Sequence, residues 1–140
     1  MIILSMGYAG AAKLIDSDET LLLYAYYCYN LNIHEQGYRE IMYKQDGEIY
    51  IEKSTLLEPL IRHKIKRLPS GRKKILEKKV IQQVDVVGLY KDGKIKIKNA
   101  SGTWNVLGCG MDSIARHLCT EIYSEYQETG EIPSCVGFYC

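Results

Sequence analysis

Residues 44–53 read Lys-Gln-Asp-Gly-Glu-Ile-Tyr-Ile-Glu-Lys, and residues 91–98 read Lys-Asp-Gly-Lys-Ile-Lys-Ile-Lys. Each places Asp-Gly before a run in which isoleucine alternates with charged or polar residues. Glycine accepts the positive φ of a tight hairpin turn, so both stretches predict the tip and return strand of a β-hairpin. The outgoing strands are expected at Tyr38–Tyr43 and Val84–Tyr90, and the return strands at Glu48–Lys53 and Lys94–Lys98. Ile49 and Ile51, then Ile95 and Ile97, share one face. Strict alternation implies antiparallel sheet with one wetter face.

Outward from these hairpins, Leu21 to Leu31 (LLLYAYYCYNL) is apolar on both faces of a strand, which suits a central strand or one covered by a partner. A helix capped by Ser17 competes with that reading, and aromatic density favours the strand. Ala11 to Ile15 is expected as a short strand ended by Asp16-Ser-Asp-Glu19. Two amphipathic helices complete the prediction. Leu57, Ile61, Ile65 and Leu68 draw a stripe over Leu56–Arg67, with Thr55 and Glu58 as a capping box and with Pro69 and Gly71 as terminators. Ile114, Leu118, Ile122 and Tyr126 draw another over Ser113–Thr129, capped by Asp112 and stopped by Gly130. Helical spacing can be drawn through Leu76, Val80 and Val84, yet three cations in a first turn would oppose a helix dipole, so an extended reading is preferred for Arg72–Lys79. The fold class is α+β, a mainly antiparallel sheet of five to seven strands with the two helices packed against it. The recurrence of hairpin and helix hints at an internal duplication.

The chain of 140 residues is long enough for one sizeable core, so a single domain over residues 1–140 is expected. Twelve tyrosines stand against one Phe and one Trp, and eight of them precede residue 51. Such a set fits half-buried sheet faces whose hydroxyls need partners. The apolar start lacks a basic side chain before Lys13 and is far shorter than the roughly 20 residues that span a bilayer. A cytoplasmic protein with no membrane association is expected. Five cysteines at irregular spacing argue for reduced thiols.

The formal charge of +1 conceals an asymmetry. Between Arg62 and Lys79 nine Lys/Arg face the single acid Glu77, giving +8; elsewhere nine cations face sixteen acids, giving −7. The basic segment marks Arg62, Lys66, Arg67, Arg72, Lys73 and Lys74 as a docking patch for an anionic partner. An acidic protein surface or a second copy of the chain would meet it without special parts, so a non-enzymatic interaction domain is the first reading. A nucleic-acid or other polyanion binder is the alternative, although no helix-turn-helix, zinc finger or aromatic-studded motif accompanies the cations.

A third reading is a cysteine-dependent enzyme. Cys109, between two glycines and three residues before the cap Asp112, would feel a helix N-terminus, with His34, His63 or His117 as the base, although His117, one turn past Ser113, would point sideways rather than back at Cys109. Zinc is disfavoured, because His117 and Cys119 would project about 200° apart on a helix and paired ligands are lacking. Gly7-Tyr-Ala-Gly10 lacks the Gly-Lys-Ser/Thr of a phosphate loop. No cofactor and no metal are implied.

Overall fold

The computed structural model describes residues 8–30, 47–98 and 110–139. Seven strands and two helices lie within them: β1 (Tyr8–Ser17), β2 (Leu21–Asn30), β3 (Gly47–Glu52), β4 (Leu60–Arg67), β5 (Lys73–Val80), α1 (Val86–Lys91), β6 (Ile95–Lys98), α2 (Ser113–Thr129) and β7 (Cys135–Tyr139). A 3-10 turn, Lys53–Thr55, follows β3. Five strands form an antiparallel sheet in the order β6-β3-β2-β1-β7, and among the described residues β4 and β5 pair only with each other. The class is α+β with antiparallel sheets and one long amphipathic helix.

The doubly apolar β2 occupies the centre of the large sheet. Leu22, Tyr24 and Tyr26 alternate onto its buried face, beside Ile49 and Ile51 of β3 and Ile95 of β6. Helix α2 closes this face with Ile114, Ala115, Leu118, Cys119, Ile122 and Tyr123. Burial pushes the Cys119 thiol up to about 12, so it packs as a small hydrophobe. The tyrosine hydroxyls tie distant segments to this core. Tyr24 donates to the Pro133 carbonyl (2.6 Å), Tyr26 donates to Asp112 Oδ2 (2.8 Å), and the Tyr123 and Thr55 hydroxyls share a 2.6 Å bond. Desolvation is the main cause that raises the Tyr24 and Tyr123 phenols above their ordinary range.

The expected boundaries of α2 hold. Asp112 Oδ1 accepts from the Ile114 amide (3.1 Å), and Gly130 ends the helix at φ +76°. The tail docks on its own sheet, where β7 runs antiparallel to β1. The expected strand at Ala11–Ile15 lies inside the longer β1, whose pairing slips between Leu14 and Asp16. Asp18 closes the turn to β2 by accepting from the Thr20 and Leu21 amides, each at 2.7 Å. Those bonds, the Leu21 amide first, hold its carboxyl below the usual range.

Two expectations are corrected. Leu56–Arg67 is not a helix: Leu60–Arg67 is strand β4, exposed along its whole length. The stripe Leu57, Ile61, Ile65 has a spacing of four, which places residues on one face of a helix and equally on one face of a strand. The second hairpin is also absent. Its outgoing strand is replaced by α1, capped by Asp85, whose Oδ1 accepts from Gly88 (3.1 Å). Asp92-Gly93 ends that helix as a Schellman motif, with Lys94 N–H on Leu89 O (2.9 Å) and Gly93 N–H on Tyr90 O (3.2 Å). A positive φ, +77° at Gly93, serves a hairpin turn and a helix C-terminus alike. Strand β6 therefore pairs with β3 instead, and the hairpin-helix duplication disappears with the first helix and the second hairpin. The return strand of the first hairpin is β3; its outgoing strand, Tyr38–Tyr43, lies outside the described residues.

Candidate functional site

Strands β4 and β5 form an antiparallel ribbon, and every residue of the two except the half-buried Val80 is exposed. At about 3.3 Å per residue, eight residues make an arm on the order of 26 Å long. The expectation that Arg72–Lys79 is extended holds: β5 begins at Lys73.

The root of the arm is fixed by side chains reading backbone. Gln127 of α2 is 1% exposed. Its Oε1 accepts from the Gln82 amide (2.7 Å) and its Nε2 donates to the Gln82 carbonyl (2.9 Å), as a neighbouring strand would. Gln82 Nε2 donates to the Glu58 carbonyl (2.6 Å), and the Tyr126 hydroxyl donates to Glu58 Oε1 (2.9 Å). Lys79 Nζ donates to the Glu128 carbonyl near the C-terminus of α2 (3.0 Å), where a cation suits the helix dipole. Segments entering and leaving the arm are thus both held to α2.

The pairing register sorts the arm into two faces. One face carries the rows Arg62–Lys78, Lys64–Leu76 and Lys66–Lys74, with Leu60–Val80 at the root: five cations and no acid. The other carries Ile61–Lys79, His63–Glu77, Ile65–Ile75 and Arg67–Lys73. On this second face Ile61, Ile65 and Ile75 are 60%, 66% and 65% exposed. Three rows, Arg62–Lys78, Lys66–Lys74 and Arg67–Lys73, set like charges directly opposite each other, an arrangement that destabilises a strand pair. Among the described residues, ion pairs join His63 to Glu77 (3.3 Å) and Lys94 to Glu52 (3.3 Å). None of the nine Lys/Arg of the arm has a carboxylate within reach in that set.

The tip is tightly built. The Gly71 amide donates to the Leu68 carbonyl (2.9 Å) and the Leu68 amide to the Arg72 carbonyl (2.8 Å), enclosing Pro69-Ser70-Gly71. Proline presets φ for the second position of a β-turn, and Gly71 takes φ +88° to rejoin the strand. Pro69 and Gly71, expected to stop a helix, instead close the ribbon.

The six predicted docking residues all lie on this arm. Arg62, Lys66 and Lys74 share the acid-free face, Arg67 and Lys73 form the last row of the other, and Arg72 flanks the turn. The sequence reading counted Lys64 and Lys78 in the basic run but left them out of these six, and it read Leu68 as the end of a helix stripe and Pro69 as its terminator. Once β4 is a strand, alternation assigns the first two. The sequence reading overlooked Gln127. That residue continues the buried row Ala115, Cys119, Tyr123 at four-residue spacing, so an amide there has to find buried partners.

Cys109 lies outside the described residues. His117 is half-buried on α2, where desolvation first, and then Arg116, lowers its imidazole below the ordinary range. Among the described residues no three His, Cys, Asp or Glu side chains gather to hold a metal ion, and no helix is long and apolar enough to cross a membrane. Compared with protein-family models, with curated proteins and with solved structures, the chain matches none of them.

Proposed function

We propose that the chain binds nucleic acid through the phosphate backbone, using the β4–β5 arm. The observation that carries this reading is the stacking of like-charged rows that have no carboxylate partner among the described residues. Such rows weaken the ribbon on its own and are relieved by a polyanion, which brings several phosphates at the spacing of one strand. The arm's composition supports the same partner. Six of its nine cations are lysine. Lysine is depleted from protein–protein interfaces and serves well as a point charge on phosphate. Two-stranded ribbons are also elements that enter a duplex, in the major or the minor groove. The acidic remainder, at −7, would point the arm towards the polyanion and the body away from it.

Fluorescence anisotropy on labelled duplex DNA, titrated with salt between about 50 and 200 mM, tests the proposal. Five to nine phosphate contacts predict a log–log slope of about −5 or steeper, and Arg72→Ala, Lys73→Ala and Lys74→Ala together make it shallower by about 3. Absence of binding at the lowest salt would defeat the proposal, as would an affinity indifferent to salt.

A second reading, docking on an acidic protein or a second copy, draws support from the exposed Ile61, Ile65 and Ile75 face. It predicts flow-through on heparin and concentration-dependent association that Ile65→Lys abolishes.

A further inference from the structure

Charge is distributed differently at the tip of the arm than along its length. Midway, one face is cationic (Arg62–Lys78, then Lys64) while the opposite face shows isoleucine and the His63–Glu77 pair. In the last two rows both faces are cationic, with Lys66–Lys74 on one side, Arg67–Lys73 on the other, and Arg72 beside the turn. A ribbon lying flat on one phosphate chain has use for cations on one side only. Cations on both sides suit a tip held between two phosphate walls, which is the inside of a duplex groove. Beyond this collar Leu68, 38% exposed, and Arg72 flank a turn whose exposed apex is Pro69-Ser70, stiffened by the proline ring and the two backbone bonds that close it.

Resting on the nucleic-acid reading above, we infer that Leu68 and Pro69 form a wedge that enters the minor groove of duplex DNA, separates a base step and bends the duplex. Leucine and proline are among the side chains that separate base steps when driven into that groove. The collar supplies the holding force: Arg67 and Lys73 meet one backbone, Lys66 and Lys74 the other. Bending brings further phosphates onto the Arg62–Lys64–Lys78 face, and their attraction offsets the lost stacking. The wide, shallow minor groove of double-stranded RNA leaves its phosphate walls too far apart for the collar. A DNA duplex already weakened at one step asks less of the wedge and is bound more tightly.

The test uses the full chain and a duplex of about 30 base pairs carrying a donor and an acceptor dye at its ends, intact or with one central mismatch. Wild-type protein is expected to raise energy transfer on the intact duplex and to bind the mismatched one about tenfold more tightly. Leu68→Ser with Pro69→Ala keeps the turn, since that position accepts most residues. This variant is expected to bind the intact duplex with a salt slope shallower by about 2 to 3, because the Arg62, Lys64 and Lys78 contacts depend on the bend, and to lose both the bend and the mismatch preference. Salt-sensitive wild-type binding without a change in energy transfer overturns the wedge and leaves the nucleic-acid reading standing. A double variant that bends DNA as the wild type does overturns the wedge too, and so does tighter binding to double-stranded RNA. Failure of the wild type to bind any duplex overturns both proposals.

Discussion

At the scale of single residues, Gln127 decides whether the arm has a fixed root. Its amide offers one donor and one acceptor to the backbone of Gln82, and both bonds sit where water is scarce. Gln127→Ala leaves both Gln82 groups without these partners and opens a cavity beneath them. The substitution is expected to destabilise the protein by about 2–3 kcal/mol, seen as a lower urea midpoint. Exchange of the amides around Gln82 should accelerate with it; an unchanged midpoint would show that the clamp contributes nothing. Asp112 works by the same logic at the other end of α2, where one carboxylate caps the helix and receives the Tyr26 hydroxyl. The sequence made Asp112 legible because a cap is a local event. It left Gln127 obscure because the partner of a buried amide lies 45 residues away.

At the scale of elements, the arm sets function against stability. Arg62 and Lys78 oppose each other directly, so Lys78→Glu converts a repulsive row into an attractive one. The change should stabilise the ribbon by about 0.5–1 kcal/mol and slow exchange of its amides several-fold. It should weaken binding to duplex DNA, with a salt slope shallower by about 1 to 2. A variant with tighter strands and undiminished affinity would sever the link between the opposed cations and the partner. The element itself was misread at its first strand for a physical reason. Period-four spacing does not distinguish helix from strand, and Pro59, tolerated in a first helical turn, also precedes a strand without harm. Fully exposed strands defeat hydrophobic patterning as well, since neither face has a core to point at. The second strand was legible because its cations disfavour a helix start.

At the scale of the whole molecule, the large sheet depends on the tail. Strand β7 covers one edge of β1, Val136 joins the core, and the Pro133 carbonyl takes the Tyr24 hydroxyl. Removing residues 131–140 should lower the calorimetric midpoint by about 10 °C or more and expose β1 as an edge prone to self-pairing. An unchanged midpoint would mean that the five-stranded sheet is complete without its last strand. By itself the sequence determined the charge asymmetry, the strand reading of Leu21–Leu31, the extent and caps of α2, and the return strands β3 and β6. Each of these rests on neighbours within a few residues: alternation, a cap, a turn glycine, a run of like charge. Tertiary structure alone decided that β6 pairs with β3, that Asp92-Gly93 ends a helix, and that the basic segment is a ribbon whose two faces differ. Those outcomes turn on which of two locally equal conformations finds partners far along the chain, and local energies do not contain that information.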